Sequence, residues 1–236
     1  MNIPSFSFSG AHPLTVGSFG DAESLKSALP DSLPEECDIA EIRLDLIHGK
    51  FPDEGPGIWQ HLMPFPLLFT ARCKREGSPI DLDAGERQRM LREVLPSASL
   101  IDIEVASIPE MGDLIETMNA SGVTWIASYH DFQKLPSREQ LESRLEIARS
   151  AGAAAFKCAA HLENSGDLAK LAEFQAAKHG IPVASMGMGS LAAVSRLLCA
   201  QTGSVLNYGF LGTQETAPGQ WSAKKLREGI RALPKL

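Results

Sequence analysis

The sequence predicts an α/β protein of the (β/α)8 TIM-barrel class, a single domain spanning residues 1–236. Three observations predict it. Short apolar or β-branched runs alternate with longer amphipathic stretches, the pattern of a parallel sheet covered by helices. Several runs, such as LLFTA and AAAFKCAA, are apolar almost throughout, as strands buried on both faces are. Eight such units in 236 residues is the size of a minimal closed barrel. A doubly wound open sheet is the competing architecture, but the turn after the first run, SFGDAES, lacks the GxGxxG pattern that usually announces it.

The strand runs in order are Leu14–Phe19, Asp38–Leu44, Leu67–Cys73, Leu100–Ala106, Thr124–His130, Ala153–Ala160, Pro182–Gly187 and Ser204–Leu211. Between them, Ala84–Leu95 is charged on one side and apolar on the other, with Asp83 as its N-cap. Ser137–Ala151 has the same character and stops at Gly152. Ser190–Gln201 opens on Ser190 as N-cap and closes at Gly203, and Ser222–Leu233 ends before Pro234. The second unit, FPDEGPGIWQHLMPFP, is broken by proline and glycine, so its helix must be short.

Composition excludes several function classes. A formal net charge of −7 without a Lys/Arg-rich run argues against a nucleic-acid partner. No apolar run approaches the ~20 residues of a membrane helix, so no membrane partner is expected. The N-terminal MNIPSFSFSGAHPL lacks a basic n-region and an apolar h-region, so no signal peptide is read. The four cysteines, Cys37, Cys73, Cys158 and Cys199, form neither a CxxC pair nor a metal spacing; they read as reduced thiols of a cytoplasmic protein.

Barrel active sites lie at the C-terminal ends of the strands, and polar residues concentrate there. Lys157 stands in an otherwise apolar strand, where lysine is rare unless paired or functional. It has two readings: an amine freed by burial to attack a carbonyl, or a structural lysine paired with a neighbouring carboxylate such as Glu104. His130 ends ASYHDF and is either a proton carrier, its tautomer held by Glu76, or a hydrogen-bonded structural histidine. The other histidines show no metal spacing. Glu41 and Arg43, two apart, share a strand face at the mouth, as ligand contacts or as an internal ion pair. Asp102 and Glu104 read as inward structural carboxylates. Arg72 can fork onto a carboxylate. Arg196, in the second turn of its helix, can do so too or be a solvated helix arginine. MGMGSLAAVSRLL resembles a glycine-rich phosphate turn, but a close-approach turn is favoured because TQETAPGQ supplies no second nest.

The ordered motifs EIRLD, FTARCKREGSP, IDIE, ASYHDF, FKCAA, SMGMGSLAAVSR, GS…YG and TAPGQWS together resemble the type I 3-dehydroquinate dehydratases, over about Val16 to Ser222. The resemblance implies a homodimeric barrel that dehydrates 3-dehydroquinate to 3-dehydroshikimate in the shikimate pathway of aromatic amino-acid biosynthesis, with no metal and no organic cofactor. It implies that Lys157 forms an imine with the substrate ketone, that His130 is general base and then general acid, and that Glu76 supports it. Glu41 and Arg43 would contact substrate hydroxyls and Arg72 would match the strand-three arginine. Arg196 would hold the carboxylate and Met186 would pack on the ring. Thr216 and Gln220 would belong to a lid over 212–220, and Ser18 would lie near the site. The sequence departs from the family pattern at Thr216, where serine is usual, at Ser78, and after the lysine strand, where AAHLENSGD replaces a common methionine-proline pair. A sugar-phosphate aldolase and a non-enzymatic carboxylate-binding barrel are the competing functions.

Overall fold

The computed structural model describes residues 6–8, 13–50 and 56–234, the side chains of 48–50 and of 56 excepted. The signal-peptide reading falls largely outside these residues, as do His12 and the side chain of His48.

The chain runs β1 (Leu14–Phe19), α1 (Ala22–Ser27), α2 (Leu33–Glu36), β2 (Ile39–Arg43), α3 (Leu44–Lys50), β3 (Leu67–Thr70), α4 (Ala84–Val94), β4 (Leu100–Glu104), α5 (Gly112–Ser121), β5 (Thr124–Asp131), α6 (Arg138–Ser150), β6 (Phe156–His161), α7 (Ser165–Ala176), β7 (Val183–Met188), α8 (Ala192–Gln201), β8 (Leu206–Phe210) and α9 (Ala223–Ala232). Helix starts follow local chemistry. Asp83 with Glu86, and Ser137 with Gln140, form reciprocal capping boxes at α4 and α6. Asn164 and Ser222 cap α7 and α9.

All eight strands are parallel, ordered β7-β6-β5-β4-β3-β2-β1-β8. β8 returns beside β7 and joins it through Val205 N–H to the Val183 carbonyl (3.1 Å), which brings the sheet to a near-closed barrel. One apolar cluster fills the layer between strands and helices. A second lies inside the barrel around Val16, Ile39, Leu68, Leu100 and Ile126, with Phe6 and Phe8 packed against it. That inner plug leaves the opposite end, at the C-terminal strand tips, free to be polar.

Several boundaries differ from the expectations, those of β2, β5, β7 and β8 by one or two residues, and four others have a clear local reason. β3 stops at Thr70 because a tight turn at Lys74–Glu76 begins soon after. β4 stops at Glu104, followed by another such turn over Val105–Met111. β6 starts at Phe156, three residues late, after the turn that ends α6. α8 starts at Ala192, and Ser190 is not its cap: Leu191 occupies that position with no side-chain hydrogen bond, and Ala192 N–H bonds the Gly189 carbonyl instead.

Candidate active site

A cavity of roughly 220 Å³ opens at the C-terminal ends of the strands. It is smaller than the ~300–1,000 Å³ of pockets for drug-sized ligands and so suits a small metabolite. Ser18, Glu41, Arg43, Arg72, Glu76, His130, Lys157, Met186, Arg196, Thr216 and Gln220 all line it. The eleven residues singled out in the sequence therefore converge on one space, drawn from β1, β2, β5, β6, β7, α8 and the loops after β3 and β8.

At its floor lies a charged array. Lys157 is 3% exposed, and its Nζ donates to Asp102 Oδ2 at 2.6 Å. The structural reading named Glu104 as the partner; the structure assigns Asp102. Glu104 is occupied elsewhere, accepting from Cys73 N–H (2.8 Å) and pairing with Arg72 (3.2 Å) and with Arg87 of α4 (2.9 Å). Asp102 also pairs with Arg72 (3.1 Å), and Ser128 bridges the two, accepting from Arg72 at 2.7 Å and donating to Asp102. Burial by itself would raise the Asp102 carboxyl, but Arg72 and Lys157 outweigh it and hold it well below the usual carboxylate range. The Lys157 Nζ also lies 4.3 Å from the centroid of the Tyr208 ring, a cation–π distance.

On one wall, Glu76 Oε2 accepts from the His130 backbone N–H (3.0 Å) and sits 3.0 Å from His130 Nδ1. Burial drives the imidazole well below the ordinary histidine value, and the cations Arg72 and Lys157 push it further the same way. The ring is thus neutral near pH 7, with one nitrogen lone pair free. Burial raises Glu76 to about 7, against the attraction of Arg72. An ionised Glu76 can only accept, so Nδ1 carries the ring proton and Nε2 keeps its lone pair.

Glu41 and Arg43 share the predicted face but do not pair with each other. Glu41 accepts from Ser18 Oγ and from Thr70 Oγ1 (2.8 Å), and Arg43 forks onto Asp45 at 2.9 and 2.7 Å. β2 ends at Arg43, so the chain turns into α3 and brings the Asp45 carboxylate back to the guanidinium. Arg196 is 1% exposed, which rules out the solvated reading. Its Nε donates to the Tyr208 carbonyl (2.9 Å), and its Nη1 donates to the carbonyls of Gly187 (2.8 Å) and Ala192 (3.0 Å). None of these partners is a carboxylate, so the positive charge stays available to an anion in the cavity.

The segment over the mouth is tied to itself and to the turn after β7. Thr216 donates to Gln220 Oε1 from its backbone (3.0 Å) and from Oγ1 (2.9 Å), and Gln220 N–H donates to Glu215 (3.2 Å). Gly189 N–H donates to the Pro218 carbonyl (3.3 Å). Gly187 N–H likewise donates to Ser195 Oγ (2.8 Å), so neither glycine amide of MGMG faces the cavity free. This agrees with a close-approach turn and not with a glycine-rich phosphate nest. Among the described residues, no three His, Cys, Asp or Glu side chains gather in a metal-binding group.

Of two neighbours of the site, the sequence reading gave Asp102 as an inward structural carboxylate without its partner and did not single out Tyr208. Asp102 was visible in IDIE, but only packing tells which strand-four carboxylate meets Lys157. Tyr208 stood in the YG motif; it is 4% exposed, lines the cavity and carries a hydroxyl with no hydrogen-bond partner among the described residues.

The chain is similar to known proteins over nearly its whole length. A family model described as Type I 3-dehydroquinase matches residues 17–236. A 3-dehydroquinate dehydratase of Methanocella arvoryzae is 31% identical over 224 residues, covering 94% of this chain and 97% of that protein. The crystal structure of 3-dehydroquinate dehydratase from Geobacillus kaustophilus superposes with a TM-score of 0.81 at 26% identity, over 93% of this chain and 90% of that one. A type I 3-dehydroquinate dehydratase from Clostridium difficile, solved with covalently modified comenic acid, gives 0.79 at 25% identity, over 94% and 92%.

Proposed function

The chain belongs to the type I 3-dehydroquinase family, and from that premise we propose that Lys157 and His130 carry its reaction through an imine. The activity is that of a 3-dehydroquinate dehydratase, a hydro-lyase of the shikimate pathway. The observation that carries the assignment of roles is the pairing of a buried lysine held at 2.6 Å by Asp102 with a neutral histidine oriented by Glu76 in one cavity.

The Lys157 amine attacks the substrate ketone and water leaves, forming a protonated imine. That cation makes the neighbouring C–H acidic by drawing its electrons in as the bond breaks. Before attacking, Lys157 must lose a proton; His130 in the same cavity is a neutral base that accepts it and then hands it to the departing ketone oxygen as water leaves, so the ring is neutral again once the imine has formed. His130 Nε2 then takes the carbon-bound proton, and the resulting enamine expels the β-hydroxyl, to which His130 returns a proton, so the elimination releases one water. Hydrolysis of the conjugated imine consumes one water, frees the enone 3-dehydroshikimate and restores the amine. General acid–base help of this kind contributes roughly 10²–10⁴-fold. Asp102 and the Tyr208 ring face stabilise positive charge at the lysine nitrogen through every step.

Arg196 takes the substrate carboxylate, Glu41 and Arg43 take ring hydroxyls, and Arg72 keeps the carboxylate array in place. Met186 supplies an apolar wall, while Thr216 and Gln220 close the mouth and Ser18 orients Glu41. Reductive trapping with borohydride and 3-dehydroquinate tests the central step: one adduct on Lys157 by mass spectrometry is expected. An active enzyme that gives no adduct, or gives it on another residue, refutes the role of Lys157.

We also propose a cytoplasmic homodimer. A reducing compartment is supported by four free cysteines, and the dimer by the family resemblance. Sedimentation at micromolar concentration checks the dimer. No helix among the described residues is long and apolar enough to cross a membrane.

A further inference from the structure

Arg196 belongs to α8, in the outer helical layer, yet it lines the interior cavity. A side chain can make that passage only between two strands. The gap it uses is the seam between β7 and β8.

Along β7, the Val183, Ser185 and Gly187 backbone groups address the β8 side. Only at the bottom does β8 answer, through Val205 N–H to the Val183 carbonyl (3.1 Å). Higher up, helix side chains take the place of the missing strand ladder. Gln175 of α7 accepts from Ser185 N–H (2.9 Å) and donates to the Val183 carbonyl (3.2 Å). Ser195 of α8 accepts from Gly187 N–H (2.8 Å) while donating to the Ala192 carbonyl (2.8 Å). Arg196 itself spans the seam, with Nη1 on the Gly187 carbonyl of β7 and Nε on the Tyr208 carbonyl of β8. Gln175 is 5% exposed, Ser195 0% and Arg196 1%, so water does not substitute for them.

Buried backbone N–H and C=O groups must be paired. Left unpaired, those of β7 and β8 would be satisfied by the two strands zipping together, and a zipped ladder has no room for a guanidinium. Gly187 permits the wedge, because a Cβ there would lie 2.7 Å from Ser195 Oγ. A Ser195 that merely back-bonded its own helix would account for the Ala192 contact and not for the Gly187 one.

We propose that Gln175 and Ser195 are positioning residues that hold the β7–β8 seam open and thereby deliver the Arg196 guanidinium into the cavity. The proposal rests on the reading that Arg196 receives the substrate carboxylate. Their loss therefore weakens carboxylate binding and leaves the amine chemistry intact.

The test compares Ser195→Ala, Gln175→Leu and Arg196→Leu in two assays. With 3-dehydroquinate, the first two are expected to raise KM about 10-fold, the equivalent of one hydrogen bond of ~1.4 kcal/mol, with kcat changed far less. With cyclohexanone and cyanoborohydride, which has no carboxylate to recognise, the rate of adduct formation on Lys157 should match the unmodified enzyme. Gln175→Glu, which keeps an acceptor for Ser185 N–H, should fall between. If Arg196→Leu leaves KM unchanged, the carboxylate reading itself fails. If Arg196→Leu raises KM and Ser195→Ala does not, the positioning proposal fails and the carboxylate reading stands. Equal slowing of cyclohexanone trapping in Ser195→Ala marks general damage to the barrel and also overturns it. Should Gln175→Leu not fold, Ser195→Ala alone decides.

Discussion

Glu76 places one carboxylate oxygen 3.0 Å from both the backbone nitrogen and the ring Nδ1 of His130. That double contact ties the histidine's tautomer to the charge of the glutamate. As pH falls through about 7, Glu76 is protonated and can donate to Nδ1, which moves the ring proton to Nε2 and removes the base. The kcat/KM profile is expected to fall about tenfold per unit below pH 7. In Glu76→Gln the limb should move to lower pH, where burial places His130 itself. A limb that stays near 7 in that variant would show that Glu76 does not set it.

The same group has a stability signature. Burial raises the folded-state carboxyl from 4.5 to about 7, so its contribution is present below 4.5 and is lost as pH rises through 7. Glu76→Gln should therefore gain relative stability between pH 5 and 8, by roughly 3 kcal/mol at most. Urea midpoints at the two pH values measure it, and an equal difference at both contradicts it.

Asp102→Asn should be the most damaging conservative change at the floor. It leaves Lys157 and Arg72 as buried cations with one carboxylate fewer. Removing one partner of a buried ion pair costs about 3–5 kcal/mol, which for a chain of this size is a fall in Tm of roughly 6–20 °C. Calorimetry that finds the variant as stable as the parent would rule out a net stabilising array.

Tyr208→Phe separates ring from hydroxyl. The ring face toward Lys157 persists, while a buried hydroxyl without a partner disappears. A rise in stability of about 1 kcal/mol, or roughly 2–4 °C in Tm, is expected, with Lys157 still trapped by borohydride at the parent rate. A loss of trapping would assign the hydroxyl a part in the reaction.

At the lid, the methyl of Thr216 sits over Gly20, where a Cβ would lie 2.9 Å from it. The absent side chain at Gly20 accommodates the methyl that distinguishes this lid. Gly20→Ala should raise KM several-fold by displacing the segment, and Thr216→Ser should restore it in the double variant. Additive effects of the two changes would show that the residues do not share this space.

How much of this was legible beforehand follows from what each feature depends on. The alternation of apolar runs and amphipathic stretches determined the barrel, because strand and helix periods are local properties of the chain. Strand-end placement picked out Lys157, His130, Glu41, Arg43 and Arg72, since the end of a barrel strand is fixed by the same periodicity, while Ser18, Thr216 and Gln220 came from the family resemblance and Tyr208 from the structure alone. Ion-pair partners were not legible. Lys157 meets Asp102 and not Glu104, and Arg43 meets Asp45 and not Glu41, because a long side chain chooses among carboxylates by distances that only packing sets. The β7–β8 seam was equally hidden. It exists because side chains from two helices satisfy backbone groups that a sequence would assign to a strand ladder, and that exchange of partners arises only when the layers are brought together.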